Sequence, residues 1–213
     1  MITPAVKPAS CFVAKLTALK KRAEARLTEG NDKYISRQYS DAIYVGSEPK
    51  ESYFIFSTLA EYMGEKLATI RRIGGIGSGL YVNEFILARL FPQVKEIDGM
   101  EIDPVLVKCA KGIKRELETV SGCDLSAVKF QSRDVLKADL SGYDALVGWF
   151  PLASHISDKQ LLRVFRQLRP GTLLIQMSNW HPLSVAEDNE RKGFREIHPA
   201  YPGYLPAAVY ERL

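Results

Sequence analysis

The residues of this chain best placed to do chemistry are the glycines of Gly74-Gly75-Ile76-Gly77-Ser78-Gly79 and two acids further on, Glu101 and Asp134. Apolar Ile70 and Ile73 lead into the glycines. A helical pattern of Leu80, Val82, Phe85, Ile86, Ala88, Leu90 and Phe91 leads out of them, and Pro92 stops it. The next run, Val94 to Ile102, reads as a strand ending on Glu101, and Val128 to Ser132 as another that delivers Arg133-Asp134. A glycine turn between strand and helix, with an acid about 20 residues on, is how open α/β sheets bind nucleotides. Bare backbone lets a ligand come close, and the helix start offers free N–H groups. Glu101 can accept both hydroxyls of a ribose. The spacing predicts a nucleoside pocket.

Phosphates fit it poorly. A dinucleotide turn needs G-x-G-x-x-G, and the third glycine is missing from both frames: Leu80 and Val82 stand there. No phosphate-loop Lys-Ser/Thr pair is present either. A nucleoside without phosphates needs only the tight turn and the ribose acid, and S-adenosylmethionine (SAM) is the common cofactor of that description. The cofactor-binding set is then Gly75, Gly77, Ser78, Gly79, Glu101, Ile102, Asp134, Val135, Trp149 and Phe150.

The elements that must hold these residues alternate. Helices are expected over about Cys11 to Thr28 and Glu51 to Lys66, then Pro104 to Thr119, Ser157 to Leu168 and Ser184 to Lys192. Buried strands are expected at Tyr143 to Phe150 and Thr172 to Met177, and two last strands at Phe194 to His198 and Ala207 to Glu211. The fold class is α/β: a Rossmann-like, mostly parallel sheet with an antiparallel last strand, plus an N-terminal helical cap. Residues 1–66 would be the cap and 67–213 the ligand-binding domain. Ligands of such sheets lie outside the carboxyl ends of the strands, so Glu101, Asp134, Gly148 to Pro151 and Ser178 to His181 should share one crevice.

Composition adds bounds. At 213 residues, 46% hydrophobic and 25% charged, the chain can bury one good core, and its net charge of +4 does not call for a polyanion. Lys15, Lys20, Lys21, Arg22 and Arg26 make the first helix basic, but no aromatic residues interleave with them, so a solvated face fits better than RNA binding. Cys11, Cys109 and Cys123 lack metal spacing and cannot all pair, as in a reducing compartment; His155, His181 and His198 are scattered, and no metal site is expected. MITPAVKPAS is not a signal pattern, and no apolar run approaches about 18 residues. The expectation is a cytoplasmic protein with a small-molecule substrate and neither nucleic acid nor membrane as partner; a homodimer stays open.

From Ile70 on, GIGSG, GMEID and SRDV resemble the cofactor loop, ribose acid and adenine-contacting strand end of class I SAM-dependent methyltransferases. Those enzymes usually carry an acid two places before the first loop glycine, where this chain has Gly75. The nicotianamine synthase-like branch also lacks that acid. Its helix pattern is similar to SYFIFSTLAE, with Tyr53, Ser57 and Leu59 in step; its YD strand is similar to Tyr143-Asp144, and its ending to GFREIHPAYPGYLPAAVYERL.

That resemblance implies chemistry at the γ-carbon of SAM: an amine attacks it and methylthioadenosine leaves. Tyr53, Trp149, Ser178 and Asn179 are the catalytic candidates. Tyr53, Tyr81, Trp149, Phe150 and Trp180 could face the sulfonium, a contact worth about 0.5–2 kcal/mol, and Ser178 and Asn179 could hold the methionine end. Plain packing and a self-satisfied turn are the competing readings. Where the branch has a helix Glu for the incoming amine, this chain has Ala60, with Glu61 one place later and turned by roughly 100°. With no acid for a second amine, SAM's own α-amine is the nucleophile expected, closing azetidine-2-carboxylate. Aminocarboxypropyl transfer to a small amine and small-molecule methylation are the alternatives. A SAM-binding module or RNA methyltransferase ranks below them, since GWFPL after the fourth strand is no base-methylation motif.

Overall fold

The structure is a computed structural model, and it describes residues 6–29, 47–148, 157–177, 193–198 and 207–213. In chain order the helices are α1 (Val6–Thr28), α2 (Pro49–Ala68), α3 (Val82–Leu90), α4 (Pro104–Ser121) and α5 (Asp158–Phe165). The strands are β1 (Arg72–Ile76), β2 (Glu96–Glu101), β3 (Val128–Ser132), β4 (Ala145–Gly148), β5 (Leu173–Met177), β6 (Phe194–His198) and β7 (Ala207–Arg212). Every element expected from periodicity is there, shifted by a few residues at its ends, except Ser184 to Lys192, which lies outside the described residues.

One seven-stranded sheet runs in the order β3-β2-β1-β4-β5-β7-β6. All pairs through β5 are parallel; β7 is antiparallel to both neighbours and slots between β5 and β6. This is the expected mostly parallel sheet with its last strand reversed. Alternation along each strand splits the core in two. Ile73, Ile97, Val147 and Ile175 pack with α1 to α4 on one face; Ile76, Met100, Leu146 and Leu174 pack with α5 on the other.

Local chemistry fixes the ends. Asp103 caps α4 by accepting from the Val105 N–H (2.8 Å), and Gly122 closes it at φ 65°, a conformation open to glycine at little cost. Ser157 and Gln160 form a capping box at the start of α5. Ser157→Ala is expected to cost about 1 kcal/mol, read as a lower urea midpoint with an unchanged slope.

The basic first helix packs inward through Phe12, Leu16 and Leu19. Lys20, 3% exposed, pairs with Glu24 and Glu48, while Arg22 pairs with Glu116 on α4. The Tyr143-Asp144 pair works at the amino edge of the sheet. The Tyr143 hydroxyl donates to Asp98 (3.0 Å), and Asp144 accepts from the Arg71 and Arg72 N–H groups, pinning β4 to β1. No helix among the described residues is long and apolar enough to cross a membrane.

Candidate functional site

The site begins with two absent side chains. Gly75 on β1 and Gly99 on β2 are register partners, and both present a bare backbone to the α3 face. The turn after β1 sinks into that gap. A Cβ on Gly99 would lie 2.0 Å from the Tyr81 ring, and one on Gly75 would lie 1.9 Å from Glu84 Oε1. Ser78 Oγ sits 3.0 Å from both of those positions. Gly77 and Gly79 bend the turn with φ of 62° and 53°. Tyr81 also holds a left-handed φ of 61°, a strain of about 1–2 kcal/mol for a residue with a Cβ. Its hydroxyl donates to the Gly99 carbonyl (2.8 Å) and its ring packs on Phe130 at 4.7 Å, contacts that offset the strain. Tyr81 is therefore fully buried in the core. It does not face the crevice as its place in the sequence suggests.

Glu101 is held from two sides. The Gly79 N–H donates to Oε2 (2.8 Å) and the Asp103 N–H to Oε1 (2.9 Å). Burial pushes its carboxyl above the usual range, while these two backbone bonds pull the other way. A carboxylate has about four acceptor sites, so these two bonds leave capacity for further donors. Its neighbour Ile102 is 67% exposed, a large apolar side chain left at the carboxyl edge of the sheet. The Arg133 N–H donates to the Glu101 carbonyl, which brings Asp134 alongside. Asp134 Oδ1 accepts from the Leu136 N–H (3.0 Å), and Lys137 lies 3.7 Å from Oδ2. The Val135 side chain goes into the α5-side core.

Glu84, which no sequence motif marks, is the unexpected member. It stands in the first turn of α3 and is 2% exposed. Ser78 Oγ donates to Oε1 (2.7 Å), while Oε2 has no hydrogen-bond partner. Burial pushes the carboxyl up to about 7; the Ser78 bond opposes this and the nearby Glu101 charge adds to it. The signal available in sequence was an acid in the run Leu80 to Leu87, whose neighbours Val82, Phe85 and Ile86 are all core residues.

No family model and no curated protein matches the chain. Solved structures do. A mutant of MtNAS, a nicotianamine synthase, in complex with S-adenosylmethionine is similar over 95% of this chain and 75% of its own, at 15% identity and a TM-score of 0.55. MtNAS in complex with MTA and tNA is similar over 92% and 71%, at 16% identity and 0.53. SAM-bound CalS10, an amino pentose methyltransferase from Micromonospora echinaspora, is similar over 74% and 89%, at 13% identity and 0.53. This chain has the Rossmann-like methyltransferase fold.

In that fold the carboxyl edge is the binding edge, and Gly75, Gly77, Ser78, Gly79, Glu101, Ile102 and Asp134 converge on it. Tyr53, on α2, packs partly buried against the core. Ser52 Oγ and Asn83 Oδ1 lie 2.8 Å apart, bringing the first turn of α2 beside the first turn of α3, with Tyr53 half-buried next to it. Trp149, Phe150, Ser178, Asn179, Trp180, His155 and His181 lie outside the described residues, directly after or near β4 and β5. A second buried polar group marks that end: Gln176, register partner of Gly148, has both side-chain amide atoms unpartnered. A cleft of about 380 Å³ opens at the opposite, amino edge. Its charges answer one another, Lys66 with Glu211 and Arg169 with Asp144, so it lacks the convergent free groups of a site. Among the described residues no cluster of His, Cys, Asp or Glu could hold a metal ion.

Proposed function

We propose that this protein consumes S-adenosylmethionine by amine attack on the γ-carbon, closing the methionine part into azetidine-2-carboxylate and releasing methylthioadenosine. The observation that carries the SAM reading is Glu101. Two backbone N–H groups, one on each oxygen, hold its carboxylate at the carboxyl edge of a methyltransferase-fold sheet and leave it acceptor capacity for ribose hydroxyls. Exposed Ile102 offers the adenine an apolar side, and Asp134 an acceptor for its amino group. In this reading the helices of residues 1–66 cap the ligand and residues 67–213 carry it.

Two features support the γ-carbon. The likeness to MtNAS takes in 95% of the chain, α1 and α2 included, against 74% for CalS10. On α2, Ala60 is half-buried and Glu61 is exposed, so neither places an acid where a second amine would need one. In the cyclisation the N–Cγ bond forms as the Cγ–S bond breaks, the electron pair passes to sulfur, and the α-ammonium gives up one proton. The protein's task is to hold the amine in line with the leaving sulfur and exclude water, since geometry decides which of three activated carbons reacts.

Methyl transfer is the second reading, and Glu84 keeps it open. The glycine at position 75 pointed away from an ordinary methyltransferase, but α3 puts a carboxylate at that same place. Gly75 thus does not separate the two chemistries. Incubating the pure protein with SAM alone, then with small amines, and identifying the remaining nucleoside by mass does separate them. Methylthioadenosine without an acceptor is expected. Methylthioadenosine only with an amine would mean aminocarboxypropyl transfer, adenosylhomocysteine would mean methylation, and unchanged SAM throughout would overturn the enzymatic reading.

A further inference from the structure

We propose that Glu84 is the carboxylate that binds the α-ammonium at the amino-acid end of the ligand, delivered from α3 into the volume where Gly75 has no side chain. The inference rests on the SAM reading above and goes beyond it to a residue no motif marks.

Three observations converge. Glu84 Oε1 overlaps the place where a Cβ on Gly75 would stand, at 1.9 Å, so helix and strand exchange the origin of one acid. The carboxylate is buried, yet only Oε1 is satisfied, by Ser78 Oγ; Oε2 is left without a partner. A buried unpaired carboxylate oxygen is unfavourable unless something cationic or hydrogen-bonding joins it. Third, the group sits beneath the turn whose Gly79 N–H holds Glu101, the ribose acid of the proposed pocket. The ionisable groups acting on Glu84 are the Glu101 carboxylate from β2 and the Tyr81 phenol from the turn; the polar contact that α2 makes to the first turn of α3, Ser52 to Asn83, is neutral. The described neighbourhood therefore supplies no cation, and an ammonium fits its charge. Each Glu101 oxygen is already engaged by a backbone N–H, whereas Glu84 Oε2 has no partner. If the γ-carbon is attacked by the α-amine, the proton lost by the ammonium passes to Glu84 Oε2 before the N–Cγ bond forms.

The test separates the two ends of the ligand. Methylthioadenosine shares the adenosyl part with SAM but has no ammonium. Glu84→Gln, which keeps the size and an oxygen for Ser78, is expected to weaken SAM at least tenfold by calorimetric titration and to leave methylthioadenosine within about twofold. Equal changes for both ligands, or none for either, overturn the proposal while leaving the SAM reading intact. A wild-type protein that binds neither ligand overturns both together. In case the first variant is ill-folded, a second pair moves the acid. Glu84→Ala should lose SAM selectively, and adding Gly75→Asp, whose Cβ then has Ser78 Oγ as its nearest neighbour at 3.0 Å, a hydroxyl that must give by a few tenths of an ångström, should recover it; a folded double variant that recovers nothing counts against the proposal.

Discussion

Exchanging Glu101 for glutamine is expected to weaken SAM and methylthioadenosine alike, by on the order of 100-fold. Hydrogen bonds to a charged group are worth about 1.5–3 kcal/mol each, and the ribose makes two. A net loss of about 3 kcal/mol corresponds to that factor. The amide cannot accept through its nitrogen, so one of the Gly79 and Asp103 N–H groups also loses its partner and the turn loosens. Binding of both ligands by calorimetry, with thermal unfolding alongside, checks this. A folded variant that keeps both affinities within a few-fold of wild type would remove Glu101 from the ligand site. The contrast with Glu84→Gln is the informative part: Glu101→Gln is expected to weaken both ligands, Glu84→Gln SAM alone.

The second large effect is on stability, and it changes with pH. The Glu84 carboxyl titrates at about 7 in the folded protein against an ordinary 4.5. Between those values the folded state holds a proton that the unfolded chain has released, so stability falls as pH rises through this window. The full penalty, present above pH 7, is about 3 kcal/mol. Glutamine has no charge to bury. Glu84→Gln is thus expected to be more stable than wild type at pH 8, with the gap closing as pH drops toward 4.5. Urea midpoints for both proteins between pH 4 and 8 test this, and parallel curves would mean that Glu84 carries no such penalty. Glu101, whose carboxyl is also raised by burial, is common to both proteins and cancels in the difference. Stability given up at a carboxylate that a cationic ligand would complement is a common feature of binding sites.

These two acids also show how far sequence alone reaches. Glu101 was legible because its position follows from short-range order. The apolar residues Val94, Ile97, Met100 and Ile102 predict β2, Pro92 and Pro104 bracket it, and a strand that leaves a parallel sheet must release its last side chain at the carboxyl edge. The same local rules placed the glycine turn and the starts of α4 and α5, while α1 begins at Val6, five residues before the expected Cys11. Glu84 was not legible. Its neighbours in sequence are core residues, and what sets its role is the register that lays Gly75 beside Gly99 and opens a gap across two strands. The turn drops into that gap, carrying Tyr81 into the core and Glu84 against the end of β1. Tyr81 illustrates the other side of the same fact: a tyrosine next to a binding turn reads as a pocket residue until the absent side chain of Gly99 draws it inward. The placement of β7 between β5 and β6 was equally beyond pattern, because strand order is settled by which edge remains open once the parallel strands have paired. Periodicity and turn chemistry act over a few residues and determined the elements and the place of Glu101 at the end of β2. Register and the space left by glycines act between strands far apart in the chain, and they alone decided where the second carboxylate stands.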